Sequence, residues 1–170
     1  MNIGQTMIPE FDMEMANTRK VLQLVPDEKW DWKIHDKSNT VGWVANHLAD
    51  IPAWVEKILC HDTLDVEPVE GQRYQSPVEN STAAVLALFD KNVATARQLL
   101  ETVEDAKLFE PWSLLRQGQE LMTLPRLAVL RTWVLNHTIH HRAHLCVYLR
   151  VNDVPVPGLY GPSADDAGPA

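Results

Sequence analysis

The chain has 170 residues, enough for one domain with a buried core and too few to expect two. Its 15 basic and 23 acidic residues give a formal charge of −8, which repels phosphate backbones and anionic lipid surfaces. We therefore expect no nucleic-acid partner and no membrane partner. Residues 1–10 lack a basic and apolar leader, and no run of about 18 apolar residues occurs, so we expect a soluble, cytoplasmic protein.

Four segments have the apolar spacing of amphipathic helices, and irregular segments separate them. The predicted helices span about 6–25, 40–60, 77–103 and 125–151, and an irregular tail follows over 152–170. Within the second helix, Pro52 lacks the N–H that would bond the carbonyl of Leu48. This predicts a kink one turn after His47.

The connections between these helices have their own signals. Trp30 and Trp32 are expected to anchor the 27–39 connection by packing, and the 61–75 segment is acidic and irregular, as is typical of a long connection. The sequence Ser76-Pro77-Val78-Glu79 is that of a capping box, and predicts the start of the third helix. A turn at 117–119 between two apolar runs predicts a short hairpin or a structured loop before the last helix.

Four of the seven histidines fall within eight consecutive residues of the last predicted helix. Steps of three and four predict a core-facing seam on this helix that contains Leu127, Leu130, Val134, His137, His141, His144 and Tyr148. A buried imidazole without a partner costs about 1–3 kcal/mol, so a seam with several histidines needs a shared partner. Because side chains four residues apart lie one above the other on a helix, His137 and His141 can bind one metal ion.

A third ligand is expected from another helix, since two imidazoles are too few for a tight site. His47 is the upstream histidine that we predict to face inward, whereas His35 and His61 lie in connections. Asp50, one turn after His47, could orient an imidazole or could simply be a solvated carboxylate.

His140 and His144 form a second pair four residues apart, and helical geometry alone does not exclude them as the metal pair. The apolar seam favours His137 and His141 instead. His140 lies at the edge of the seam and His144 could contact a ligand, so both are candidates for proton transfer or for positions next to the metal ligands.

The last helix resembles the closing helix of the DinB/YfiT-like proteins, in which His-x-x-x-His is followed by Arg, a small residue, Gln and Leu. The matching run is His137-Thr138-Ile139-His140-His141-Arg142-Ala143-His144-Leu145. Similarity continues at 31–33, around His47, at 147–150 and at 160–166, so it covers nearly the whole chain. The chain departs from the pattern at His144, where the family usually has Gln.

This resemblance implies an all-α fold: an up-down-down-up four-helix bundle over 1–170, forming one domain and often a homodimer. It implies a divalent metal ion, zinc or nickel, held by His47, His137 and His141. Members with known chemistry are thiol-dependent S-transferases or isomerases that use low-molecular-weight thiols, and others are described as metal-dependent hydrolases.

We therefore expect a metal-dependent thiol S-transferase that acts on a small electrophilic substrate, with a low-molecular-weight thiol as cosubstrate. Three neutral histidines leave a coordination position open, which is typical of catalytic sites. One alternative is a metal-dependent hydrolase. Another is a metal-binding stress-response protein without turnover, for which removal of the metal should strongly destabilise the fold, whereas an enzyme should stay folded.

Overall fold

The protein, described by a computed structural model over residues 2–166, combines helices with a small mixed β-sheet. The helices are α1 (Ile3–Leu22), α2 (Val41–Asp50), α3 (Trp54–Cys60), α4 (Thr82–Thr102), α5 (Asp105–Phe109), α6 (Arg126–Val129) and α7 (His137–Val151). The strands are β1 (Thr63–Asp65), β2 (Pro111–Arg116) and β3 (Gln119–Pro125). Two short 3₁₀ helices, Asp27–Lys29 and Ile51–Ala53, and a π-helical segment, Leu130–Asn136, lie between them.

The prediction of an all-α, up-down-down-up four-helix bundle is wrong, because a three-stranded mixed sheet is part of the fold and makes it α/β. β2 and β3 form the antiparallel pair at the position where we predicted a hairpin or a structured loop. β1 was missed. It has three residues and pairs in parallel with β2, and so short a strand has too little periodicity to be recognised in an irregular segment.

The carboxylate of Asp65 ties β1 to the turn between β2 and β3. Its two oxygens accept hydrogen bonds from the backbone N–H groups of Gln117 (3.1 Å) and Gly118 (2.7 Å). Both of these turn residues have positive φ, 53° and 73°, which is the conformation that a tight two-residue hairpin turn requires. Contacts between residues that are far apart in the chain therefore hold β1 next to the β2–β3 hairpin.

The core lies between α1, α2, α4 and α7, which pack against one another. The first predicted helix contributes five buried apolar residues to this core: Ile8, Phe11, Met15, Leu22 and Val25. The predicted interruption at Pro52 is also confirmed, because the 3₁₀ helix Ile51–Ala53 separates α2 from α3. It follows directly after the turn that contains His47.

Helix α4 begins at Thr82 and not at the capping-box sequence 76–79. The serine hydroxyl of that sequence donates to Asp50 Oδ2 (3.0 Å), and its glutamate N–H donates to Asn46 Oδ1 (2.7 Å). Asp50 and Asn46 both belong to α2, so tertiary hydrogen bonds use the groups that would otherwise cap a helix. These contacts fix residues 74–80, hereafter the 74–80 segment, against α2. The prediction that the third helix starts at the capping-box sequence is therefore wrong.

The tail after α7 has no helix or strand over 152–166, as predicted, and 167–170 lie outside the described residues. It is attached to the core through Arg142, which is buried and forms an ion pair with buried Glu14 (Nη2–Oε2 2.6 Å). The hydroxyl of Tyr160, in the tail, donates to the same carboxylate (2.7 Å). A second ion pair, between Arg150 and Asp165, holds the tail at the surface.

The two arginines should differ in their contribution to stability. Arg142→Met removes the positive charge beside the buried Glu14 carboxylate, which then keeps the hydrogen bond from the Tyr160 hydroxyl but has no ion-pair partner. The free energy of unfolding should therefore fall by about 3–5 kcal/mol. Arg150→Met removes an exposed pair to the same tail and should cost at most about 1 kcal/mol. Urea unfolding followed by circular dichroism measures both values, and equal losses would contradict this assignment.

Candidate metal centre

Helices α2 and α7 bring His47, His137 and His141 together. The Nε2 atom of His137 lies 3.2 Å from that of His47 and 2.7 Å from that of His141. One ring nitrogen from each of the three lies within 4.8 Å of the others. Zinc–imidazole bonds of 2.0–2.1 Å in a tetrahedron place neighbouring nitrogens about 3.3 Å apart, close to the first separation and somewhat longer than the second.

The three rings are neutral at pH 7. Burial lowers the pKa of His47 from 6.5 to about 4, and the neighbouring His137 lowers it further, while Asp50 acts in the opposite direction. Burial, followed by the effect of the surrounding histidines, lowers the pKa of His141 to about 3. The pKa of His137 is lowered as well, mainly by burial. Neutral imidazoles have a free lone pair, which is the form that binds metal ions.

The surroundings of the rings fit a bound cation. His137 has a hydrogen bond to the backbone of Trp133, and a ring that donates to a carbonyl presents its other nitrogen as a ligand. Nδ1 of His141 is buried and has no hydrogen-bond partner among residues 2–166. Three nitrogens that converge without a carboxylate or a basic side chain bonded to them form a donor set that suits zinc, nickel or copper.

Two indoles cover the histidine rings. Trp43 stacks on His47, with ring centroids 4.8 Å apart and planes at 25°, and its edge contacts His141 at 5.9 Å. Trp133 contacts His137 edge-on at 5.9 Å. These contacts fix the orientation of the rings and exclude water from part of their surface, which is why burial is the main cause of the lowered pKa values.

The predicted seam of α7 is displaced by the π-helical segment Leu130–Asn136. A π-helix has more residues in each turn than an α-helix, so residues after it are rotated relative to a regular continuation. The buried face of α7 is therefore formed by Thr138, Arg142, Leu145, Tyr148 and Leu149. His137 and His141 lie beside this face, toward His47, and are partly exposed. Such π-helical segments are frequent at functional sites.

His140 and His144 lie on the exposed side of α7. Their ring centroids are 4.2 Å apart, and the two rings form a second group with His141 whose nitrogens lie within 4.8 Å of one another. The structure therefore offers two histidine groups that share His141, one partly buried and one at the surface. Proton transfer by His140 or His144 stays a prediction.

Asp50 lies near His47 but holds the 74–80 segment. It is 2% exposed, and its Oδ2 accepts hydrogen bonds from the hydroxyls of Tyr74 and Ser76 and a longer one from Trp54 Nε1 (3.4 Å). Among the described residues no hydrogen bond joins it to an imidazole. Of the two alternatives that the sequence left open for Asp50, the structure supports neither, because the carboxylate is a buried anchor for a loop.

A cavity of about 650 Å³ opens beside His47, and we refer to it as the His47 cavity. It lies between the N-terminal half of α2 and the 74–80 segment, and it is lined by Trp30, Asp31, Thr40, Gly42, Trp43, Asn46, His47 and residues 75–80. Gly42 allows the Trp30 indole to lie against α2, because a Cβ atom at this position would be 2.3 Å from Trp30 Nε1. No local pattern in the sequence predicts the contribution of residues 75–80 to this wall.

The fold and the three histidines define an α/β protein with a candidate metal centre between two helices. Residues 1–168 match the model of the DinB family, and the chain belongs to that family. The structure is similar to that of a DinB-like protein from Bacillus cereus ATCC 10987 (24% identity, TM-score 0.68, 92% of this chain and 97% of the other). It is also similar to the DinB-like protein YjoA from Bacillus subtilis (14% identity, TM-score 0.65, 91% and 97%).

At these identities the likeness to solved structures shows the fold alone. A comparison with curated proteins gave no match. Within residues 2–166, no helix combines the length and the apolar character that crossing a membrane requires. Family membership and the histidine cluster together establish a DinB-family protein with a site that could hold a metal ion.

The lowered pKa values predict a pH dependence of stability. Between about pH 6.5 and pH 4 an unfolded chain takes up protons that folded His47 and His141 do not, so the metal-free protein should lose stability as the pH falls through this range. His141→Gln removes one such group and should lose less. Urea unfolding with a chelator present, at about pH 7 and about pH 5, measures the difference.

The control for this prediction is His61→Gln, which replaces an exposed histidine outside the cluster. It should keep the pH dependence of the wild type. If His141→Gln loses as much stability as the wild type between the two pH values, His141 does not have a lowered pKa in the folded protein.

Proposed function

We propose that this protein is a metal-dependent thiol S-transferase, in which His47, His137 and His141 hold a divalent metal ion, zinc or nickel. Its substrates would be a low-molecular-weight thiol and a small electrophilic molecule. The observation that carries the proposal is the convergence of three neutral imidazoles beside a cavity of about 650 Å³, a volume that fits a small molecule. The last helix resembles that of the DinB/YfiT-like proteins, whose members with known chemistry include thiol-dependent S-transferases, and this resemblance supports the choice of reaction.

His47, His137 and His141 would hold the divalent ion, whose positive charge would lower the pKa of a thiol bound beside it. The protein itself contributes position and surroundings. The backbone of Trp133 orients His137, and the Trp43 indole covers one face of His47. The His47 cavity would hold the organic part of the thiol or the electrophile beside the three rings.

The surroundings of the cluster favour a thiol over water as the nucleophile. Water needs a much larger fall in pKa than a thiol, and hydrolytic metal sites commonly add a general base. Asp50, the carboxylate one turn from His47, is occupied by Tyr74 and Ser76. In the described part of the chain no carboxylate, Asp50 included, is hydrogen-bonded to the three rings. Hydrolysis would thus depend on His140 or His144, which lie on the exposed side of α7.

Metal content tests the site. Purified wild type should contain about one equivalent of metal per chain after gentle dialysis, and His141→Ala should lose most of it because one of three ligands is missing. His140→Ala is the matched control, since it removes a neighbouring imidazole of the same helix that lies outside the group of His47, His137 and His141. Elemental analysis gives all three values. Retention of metal by His141→Ala would contradict a site in either histidine group, because both contain His141, whereas loss of metal in His140→Ala would move the site to the group of His140, His141 and His144.

Activity with metal-loaded protein tests the reaction. A panel of thiols with a chromogenic electrophile should give product only when a thiol is present, and His47→Ala should abolish the reaction. Cleavage of a chromogenic ester without a thiol would instead support a metal-dependent hydrolase. If neither reaction occurs and removal of the metal unfolds the protein, the third alternative, a metal-binding stress-response protein without turnover, is the better interpretation.

A further inference from the structure

We propose that the His47 cavity binds organic cations, and that the thiol cosubstrate is accordingly one that carries a positively charged nitrogen. The first part depends only on the cavity, and the second rests on the proposed function. The observations that carry the proposal are the acidic residues that line the cavity, the two indoles in its wall and the hydrogen bonds that fix the backbone of one of the acidic residues.

The charged residues among those that line the cavity are both acidic. They are Asp31 and Glu79, and no lysine or arginine is among the lining residues. Between residues 2 and 166, neither carboxylate has a basic partner within 4.0 Å, whereas the exposed carboxylates of Asp90 and Asp12 form ion pairs with arginines. Carboxylates are ionised at neutral pH, so the cavity has uncompensated negative charge. It attracts a cation and repels an anion.

Two indoles add to this preference. A cation is attracted to the face of an aromatic ring, most strongly to tryptophan. Trp30 and Trp43 both line the cavity, and the close approach to Gly42 holds Trp30 in place. Trp43 has one face on His47 and is still 45% exposed, so part of its ring remains accessible to a ligand. Indoles combined with carboxylates are suited to alkylated ammonium groups, which have both charge and apolar surface.

The position of Glu79 is fixed relative to the metal centre. Its backbone N–H donates to Asn46 Oδ1 (2.7 Å), and its carbonyl accepts from Asn46 Nδ2 (2.9 Å). Asn46 is buried and directly precedes His47 on α2. The backbone of Glu79 is therefore attached to the residue that precedes His47, which sets the position of this acidic residue relative to the candidate metal centre.

The cavity and the histidine cluster have opposite electrostatic character when a metal ion is bound. A ligand with a sulfur at one end and a positively charged nitrogen at the other matches both. A thiol with a carboxylate in place of the nitrogen would put like charges together at Asp31 and Glu79. An aminothiol should therefore be preferred over an acidic thiol of similar length.

The first experiment uses probes without sulfur. Choline and its neutral analogue 3,3-dimethylbutan-1-ol have nearly the same shape and differ in charge, so their dissociation constants measure the selectivity of the cavity directly. By calorimetry on the metal-free full chain, choline should bind about tenfold more tightly, as expected for one cation–π contact and two partly exposed charge pairs. Equal binding of the two probes, or absence of choline binding, would overturn the proposal.

A double variant, Asp31→Asn with Glu79→Gln, removes both carboxylates while preserving side-chain shape, and it should reduce the preference for choline to about twofold or less. Glu70→Gln with Glu120→Gln changes the net charge equally at exposed positions outside the cavity, and should keep the tenfold preference. If the preference survives in the first double variant, the two carboxylates do not produce it and the proposal is wrong.

The second experiment compares thiocholine with 3-mercaptopropionate as cosubstrates of the metal-loaded protein. The ratio of their kcat/KM values should favour thiocholine by about tenfold and should fall in the Asp31, Glu79 double variant. The two failures are distinguishable. Choline selectivity without thiol transfer would reject the proposed function and leave the cation site in place, whereas thiol transfer that favours 3-mercaptopropionate would reject the aminothiol.

Discussion

The contact on which the rest of the site depends is the approach of His47 on α2 to His137 on α7, with 3.2 Å between their Nε2 atoms. Two helices from distant parts of the chain must be held at a fixed separation for these nitrogens to meet, and His141 joins them from the next turn of α7. The core between α1, α2, α4 and α7 sets that separation. The same packing desolvates the rings and keeps them neutral. Packing therefore determines both the geometry and the protonation state of the donor set, and a metal ion would add its own bonds to a site that is already arranged.

A second level of organisation consists of buried polar side chains that attach irregular backbone to helices. Asp50 and Asn46 fix the 74–80 segment on α2, and Arg142 with Glu14 fixes the tail through Tyr160. An irregular segment has no ladder of backbone hydrogen bonds, so its position must come from contacts of this kind. Each anchor lies close in sequence to a candidate ligand: Asn46 precedes His47 and Arg142 follows His141. The helix turns that contain the histidines thus also position the segments around them.

The sequence was informative where local spacing decides the structure. The pair His137 and His141 follows from four-residue spacing on a helix, and His47 from its place on a predicted inward face. Four helical segments and the hairpin region were located for the same reason. Features that depend on distant contacts were not predictable: β1 is defined by its pairing with β2, and the start of α4 by hydrogen bonds to Asp50 and Asn46. The π-helical segment was missed because regular periodicity cannot reveal an extra residue in a turn, and it is why His144 lies at the surface and not in the seam. The four-helix bundle was carried over from a resemblance, and the mixed sheet overturns it.

The wall of the His47 cavity comes from two kinds of structure, and this has a consequence for how the protein can evolve. The histidines are placed by helices of the core, where a change in one residue disturbs the packing of many. Most of the opposite wall comes from residues 75–80, in a connection without regular structure. Connections of this kind tolerate substitution and changes in length. Descendants of this chain can therefore acquire new ligands by changing the loop alone, while the histidine cluster is inherited without alteration.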